Sequence, residues 1–167
     1  MKVLKIIPIV CGFFAFLFTC VSVGGNAWLT DKSGDVLYGL WKTCNEHSGC
    51  EKHQKVEDWI KSTRAMTLLA LVCTLIGIIS SIVNIFCTHL AVSIVKCVGY
   101  GLSVIFMISG LAIFMDETTE HVDKYGMKYS WALVLGWVAM IFSLVSLILS
   151  IVNIITGDKK VASNQTV

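Results

Sequence analysis

Four long apolar runs, parted by polar gaps, set the pattern of this chain. They extend over Ile6–Gly25, Ala65–Cys87, about Cys97–Met115 and Trp131–Thr156, and none contains an Asp or Glu. A helix needs roughly 20 apolar residues to cross a hydrocarbon core of about 30 Å, so each run is long enough by itself. Backbone groups in lipid must pair within their own segment, which predicts helix despite the many Val and Ile residues. The gaps are unequal. Residues 26–64 form the longest and 116–130 a shorter one on the same side; the other side holds a short link near 88–96 and the tail 157–167. An even number of spans leaves both termini on one side. The pattern predicts a single four-span membrane domain over residues 1–167, with spans at about 6–25, 65–87, 97–115 and 131–156.

Composition points the same way. Of 167 residues, 56% are hydrophobic and 14% charged, with mean hydropathy +0.78; a soluble domain carries about a quarter charged residues. The scattered net charge of +2 excludes a nucleic-acid partner. Lys2 and Lys5 before the first run, with Gly25-Asn26-Ala27 behind it, imitate a signal peptide. The apolar stretch exceeds the roughly 7–15 residues of a signal core, so the run reads as a span. Lys2, Lys5, Lys159 and Lys160 lie near span ends on the side of the termini, as expected of a cytoplasmic face. Lys61 and Arg64 pull the other way, and the cysteines are the better guide.

Cys44 and Cys50 lie together in the longest gap. Such a pair reads as a disulfide in an oxidising compartment, which makes that gap extracellular. Two free thiols are one alternative. Zinc is another, because His47 and His53 interleave with the cysteines, although four ligands within ten residues do not easily converge on one ion. Cys11, Cys20 and Cys73 lie within spans as small packing residues. Cys87 and Cys97 flank the short link and are candidates for palmitoylation, with plain burial as the blander reading.

Inside the runs the polar residues are small. Ser143, Ser146, Ser150 and Asn153 recur at helical spacing, one face along which helices can approach and share hydrogen bonds. A proton or cation path along the bundle would leave acidic residues there. Nor does the chain carry a nucleophile–base pair, a zinc-protease motif or a phosphate loop, so no enzyme is expected. Arg64, at the outer end of the second run, is either a snorkelling anchor or a clamp on loop carbonyls or an outer acid. Residues 36–43 have strand-like content around Gly39.

The first outer gap runs Trp28, Gly39-Leu40-Trp41, Cys44, Cys50, Trp59 and Thr63-Arg64-Ala65. This order resembles the claudin and peripheral myelin protein superfamily. Tyr129-Ser130-Trp131 followed by Leu135-Gly136-Trp137-Val138-Ala139 is similar to the fourth span of its epithelial membrane protein branch. The resemblance covers nearly the whole chain. It implies a left-handed four-helix bundle with a small extracellular antiparallel sheet, built mostly from the first gap and joined by the second. It also implies a Cys44–Cys50 disulfide, and that Trp28, Leu40 and Trp41 pack the sheet onto the helix ends. The chain departs from claudins in its tighter cysteine spacing and in the ending Asn164-Gln165-Thr166-Val167, which lacks their terminal Tyr-Val.

The expected function is that of a structural and adhesive four-span protein of cell–cell contacts in the plasma membrane, with both termini cytoplasmic. It would associate with itself laterally in the bilayer and present its outer sheet to a protein on the facing cell. The second reading is an auxiliary or trafficking subunit of another membrane protein, such as a channel. Neither calls for a cofactor, a metal or a small-molecule substrate.

Overall fold

Each apolar run forms one helix, and each helix is longer than its run. The helices are α1 (Lys2–Gly24), α2 (Asp58–Phe86), α3 (Leu90–Tyr125) and α4 (Trp131–Asn164). The computed structural model describes residues 2–53, 56–87 and 89–164. Gln165 and Thr166 of the chain ending, and the side chains of Lys2, Lys5, Lys159 and Lys160, lie outside what is described.

α3 exceeds its run the most. Hydropathy marks where apolar side chains stop, whereas a helix continues until its backbone is turned aside. Beyond Met115 the polar residues keep the helical repeat, with Thr118 buried and Val122 packed against the core. The helix stops at Gly126, whose left-handed backbone (φ 63°, ψ 32°) closes it as a C-terminal glycine does. Most of residues 116–130 is therefore a helical extension rather than a loop. At the other end α3 begins at Leu90, so Lys96, counted above in the link, lies inside the helix and is buried.

The polar gaps supply five short strands: β1 (Leu29–Thr30), β2 (Val36–Tyr38), β3 (Lys42–Asn45), β4 (Gly49–Lys52) and β5 (Lys128–Tyr129). They form one antiparallel sheet in the order β4-β3-β2-β1-β5. The first gap thus builds four strands and the second adds an edge. The β3–β4 turn closes where Asn45 faces Gly49, whose φ of 83° is open to glycine at little steric cost. The sheet covers the bundle end at which α1 and α3 finish and α2 and α4 begin.

The bundle is inverted relative to a soluble one. Between 22 and 44% of each span is buried within the chain, and apolar side chains such as Phe13, Ile79, Ile105 and Ile148 are outward and exposed. That surface faces lipid; the protein is a multi-pass membrane protein. Inside lie Thr19, Ser22, Thr67, Thr74, Ser81, Ser103, Ser143, Ser146 and Ser150. Lipid is as apolar as leucine, so helix association rests on close packing and hydrogen bonds rather than on burying apolar surface. Both are present. Thr74 and Ser103 join α2 to α3 at 2.5 Å, and Ser103 reaches Ser143 of α4 at 3.5 Å. The Pro8 carbonyl of α1 accepts from Tyr100 (3.3 Å) and from Ser146 (3.2 Å). Tyr100 fits because Gly12 and Gly77 flank it: a Cβ on either would lie within 3 Å of its ring or hydroxyl. The serine face expected in α4 is this seam.

Candidate functional site

A helix leaves its last four carbonyls without internal partners, and at a membrane boundary each must find one. α1 ends in Val21-Ser22-Val23-Gly24, and two indoles answer two of these groups. Trp28 donates from Nε1 to the Ser22 carbonyl (2.8 Å), and Trp41 donates from Nε1 to the Val23 carbonyl (2.8 Å). The rings differ in burial. Trp28 is fully buried, with its ring edge-on to Phe114 at 4.7 Å. Trp41 is 40% exposed, so it contributes its N–H and one face rather than a buried ring. The two indoles thus reach the end of α1 in two different ways.

The Gly39-Leu40-Trp41 triplet now has a local cause. Gly39 lies at the turn from β2 into β3, where its amide donates to the Lys42 carbonyl (3.0 Å). A Cβ there would meet the Asn26 Cα at 2.6 Å, so the position accepts only glycine without displacement. Leu40 enters the core, and its carbonyl accepts from Arg64 Nε (2.8 Å) and Nη2. The Arg64 guanidinium lies 4.6 Å from the centre of the Trp41 ring. Arg64 is therefore a clamp on a loop carbonyl, stacked on the indole that caps α1. A lysine offers one compact charge and could not match this planar, two-pronged contact.

The same joint is sewn to α4. Ser22 Oγ donates to the Ala132 carbonyl (2.7 Å), while the amides of Ser130 and Ala132 donate to the carbonyls of Trp28 and Ala27. Nothing in the local sequence marks Ser22 for this, since its partner is 110 residues away.

Cys44 and Cys50 stand opposite each other on β3 and β4 and are joined by a disulfide. The bond occupies both sulfurs, so the zinc alternative loses two ligands. His47 sits in the exposed β3–β4 turn, and His53 donates from Nε2 to the Gly39 carbonyl (3.0 Å). Closing so short a loop gains about 2 kcal/mol in the chain-entropy account. Cys44→Ser and Cys50→Ser are each expected to lower stability by about that amount and to reduce surface delivery equally. Quantifying surface-biotinylated protein for both variants checks this; full delivery of both would show the sheet holds its shape without the bond.

Cys87 and Cys97 lie far from this joint. Cys87 is exposed at the end of α2, and Cys97 is half-buried about two turns into α3 rather than at its edge.

Beneath the sheet is a cleft of about 340 Å³. Its walls include Tyr38, His53, Glu57, Trp59, Phe114 and Thr118. Trp59 donates from Nε1 to the Glu57 carboxylate, and its ring lies edge-on to Phe114 at 5.8 Å. Trp59 was singled out from the sequence; Glu57, Phe114 and Thr118 were not. Phe114 is one of many apolar residues in its run, and only folding brings it under Trp28 and Trp59.

Compared with known proteins, the chain matches the PMP-22/EMP/MP20/Claudin family over residues 1–150. It is 26% identical over 138 residues to the p53 apoptosis effector related to PMP-22 of Danio rerio, covering 78% of this chain and 74% of that one. It is 25% identical over 141 residues to the lens fiber membrane intrinsic protein of Homo sapiens, covering 80% and 81%. Epithelial membrane protein 1 of Homo sapiens is 24% identical over 129 residues, covering 75% and 80%.

Proposed function

We propose, from the premise that this chain belongs to the PMP-22/EMP/MP20/Claudin family, that it is a structural and adhesive protein of cell–cell contacts. It acts in the plasma membrane with both termini in the cytoplasm. It associates with its own copies in the plane of the bilayer and offers its sheet to a protein on the facing cell.

The observation that carries this reading is the way the sheet is held. Trp28 and Trp41 cap α1, Arg64 clamps Leu40 from α2, and Ser22 ties α1 to α4. A sheet fixed to all these elements presents one shape, and preorganised shape lowers the entropic cost of binding. The disulfide supports the outward placement, because such bonds persist in oxidising compartments. Strand β4 is exposed along its whole length and, among the described residues, is the edge strand of the sheet. The first gap holds six basic and six acidic residues, so recognition rests on shape and local contacts rather than on net charge.

The test is a cell-aggregation assay. Cells expressing the intact protein are expected to aggregate, whereas cells expressing it with residues 26–64 exchanged for those of a non-adhesive relative, at equal surface density, are expected to remain dispersed. Equal aggregation would remove the adhesive role from the sheet. Purification in mild detergent separates the second reading: a stoichiometric larger partner in place of self-assembly makes the chain an auxiliary subunit.

A further inference from the structure

The cleft beneath the sheet plays no part in the adhesive reading, and its chemistry is specific. Its volume of about 340 Å³ lies at the small end of ligand sites, roughly 300–1,000 Å³. That suits a compact head group rather than a whole lipid. Three aromatic residues line it, Tyr38, Trp59 and Phe114, together with the carboxylate of Glu57. Among the described residues, Glu57 is the one acid in the lining, and no Lys or Arg is part of it. Aromatic rings and a carboxylate together attract a cation.

The hydrogen bonds narrow the choice. The Trp59 N–H is used by Glu57, the Thr118 hydroxyl donates to the Phe114 carbonyl, and His53 Nε2 donates to the Gly39 carbonyl. These three donors are engaged, and the charged group in the lining is the Glu57 carboxylate, which disfavours a phosphate or carboxylate in the cleft. A primary ammonium would need several acceptors for its own N–H groups. A quaternary ammonium has no N–H to satisfy and presents methyl groups to the rings.

Position narrows it again. Trp59 lies in the first turn of α2, and Phe114 and Thr118 bracket the end of the third apolar run at Met115. The cleft therefore lies where hydrocarbon gives way to head groups, the level at which aromatic side chains gather. We infer that the cleft beneath the sheet binds the quaternary ammonium of a phosphatidylcholine lipid in the leaflet at the sheet end.

The test uses the full chain in mild detergent. It is exposed to an equimolar mixture of phosphatidylcholine, phosphatidylethanolamine and phosphatidylglycerol with identical acyl chains, and retained lipids are counted by native mass spectrometry. Phosphatidylcholine is expected to be retained about tenfold over either competitor, as one desolvated cation–aromatic site allows. Glu57→Gln is expected to abolish most of that preference, whereas Glu51→Gln on β4, outside the cleft, retains it. Equal retention of the three lipids by the parent protein overturns the proposal. So does displacement by choline chloride without any preference for the lipid, which would make the ligand a free cation. A photoreactive choline-head lipid provides a reading on the unaltered chain. Crosslinks to peptides containing Trp59 or Phe114 support the site, and crosslinks confined to the outward helix faces overturn it.

Discussion

Trp28→Ala is expected to cost about 3–5 kcal/mol, the usual range for emptying a buried aromatic site. The indole is fully buried against Phe114. It also supplies the N–H that caps the Ser22 carbonyl at the end of α1. Alanine leaves both a void and a carbonyl that has lost its closest donor; the Gly25 amide, at 3.3 Å, is the longer contact that remains. The void lies between α1, the sheet and α3, and the main chain at residue 28 cannot collapse into it easily. Its amide donates to the Tyr38 carbonyl (2.8 Å), and its carbonyl accepts from the Ser130 amide (3.0 Å). Trp28→Phe separates the two causes: most of the ring stays and the N–H is lost, for a smaller cost of roughly 1–2 kcal/mol. Thermal unfolding in detergent checks both, with a fall on the order of 10 °C expected for the alanine variant. An alanine variant that melts with the parent would mean the joint is not where the sheet is held.

Gly39→Ala is expected to be nearly as damaging, at about 3 kcal/mol, although it adds a single methyl group. The atoms that methyl would meet are main chain: Asn26 Cα at 2.6 Å, Asn26 C at 2.9 Å and the Gly25 oxygen at 2.9 Å. A side chain could rotate away, but these atoms cannot. The segment leaving α1 is held by the Trp28–Tyr38 bond, and the Gly39 turn by the Gly39–Lys42 bond and by Arg64 on Leu40. Relief requires that one of these be broken. Gly24→Ala is the matched control, since a Cβ there meets nothing within 4 Å and the residue is helical. It is expected to be neutral or to stabilise by up to about 1 kcal/mol. Comparing surface delivery and melting of the two variants decides the matter; equal behaviour would show that Gly39 is not held against Asn26.

Much of the joint was legible as a list of residues and little of it as a mechanism. Trp28, Trp41 and Arg64 stood out because a large aromatic or a guanidinium between apolar runs is conspicuous, and Leu40 because it is the middle of the Gly39-Leu40-Trp41 motif on which the resemblance rests. What each does depends on the end of α1, where two carbonyls need donors and Trp28 and Trp41 supply them. Arg64 had two readings from sequence, an anchor and a clamp on loop carbonyls or an outer acid, and only folding brings the Leu40 carbonyl within reach of Nε. Ser22 and Phe114 were invisible, as a serine and a phenylalanine inside apolar runs carry no mark of partners far along the chain. Lys96 was misassigned to the link because charge was used to mark a boundary that the α3 backbone crosses.

The number of spans, their helical state and the division into one large and one small outer gap are written in the chain, because lipid forces every crossing segment to satisfy its own backbone and so leaves a long apolar run as its trace. Contacts between distant segments leave no such trace. The fit of Tyr100 between Gly12 and Gly77, the serine and threonine seam, the cleft under the sheet and the capping of α1 by two tryptophans each depend on which faces meet. Local periodicity shows that a face exists; only the folded chain shows what lies against it.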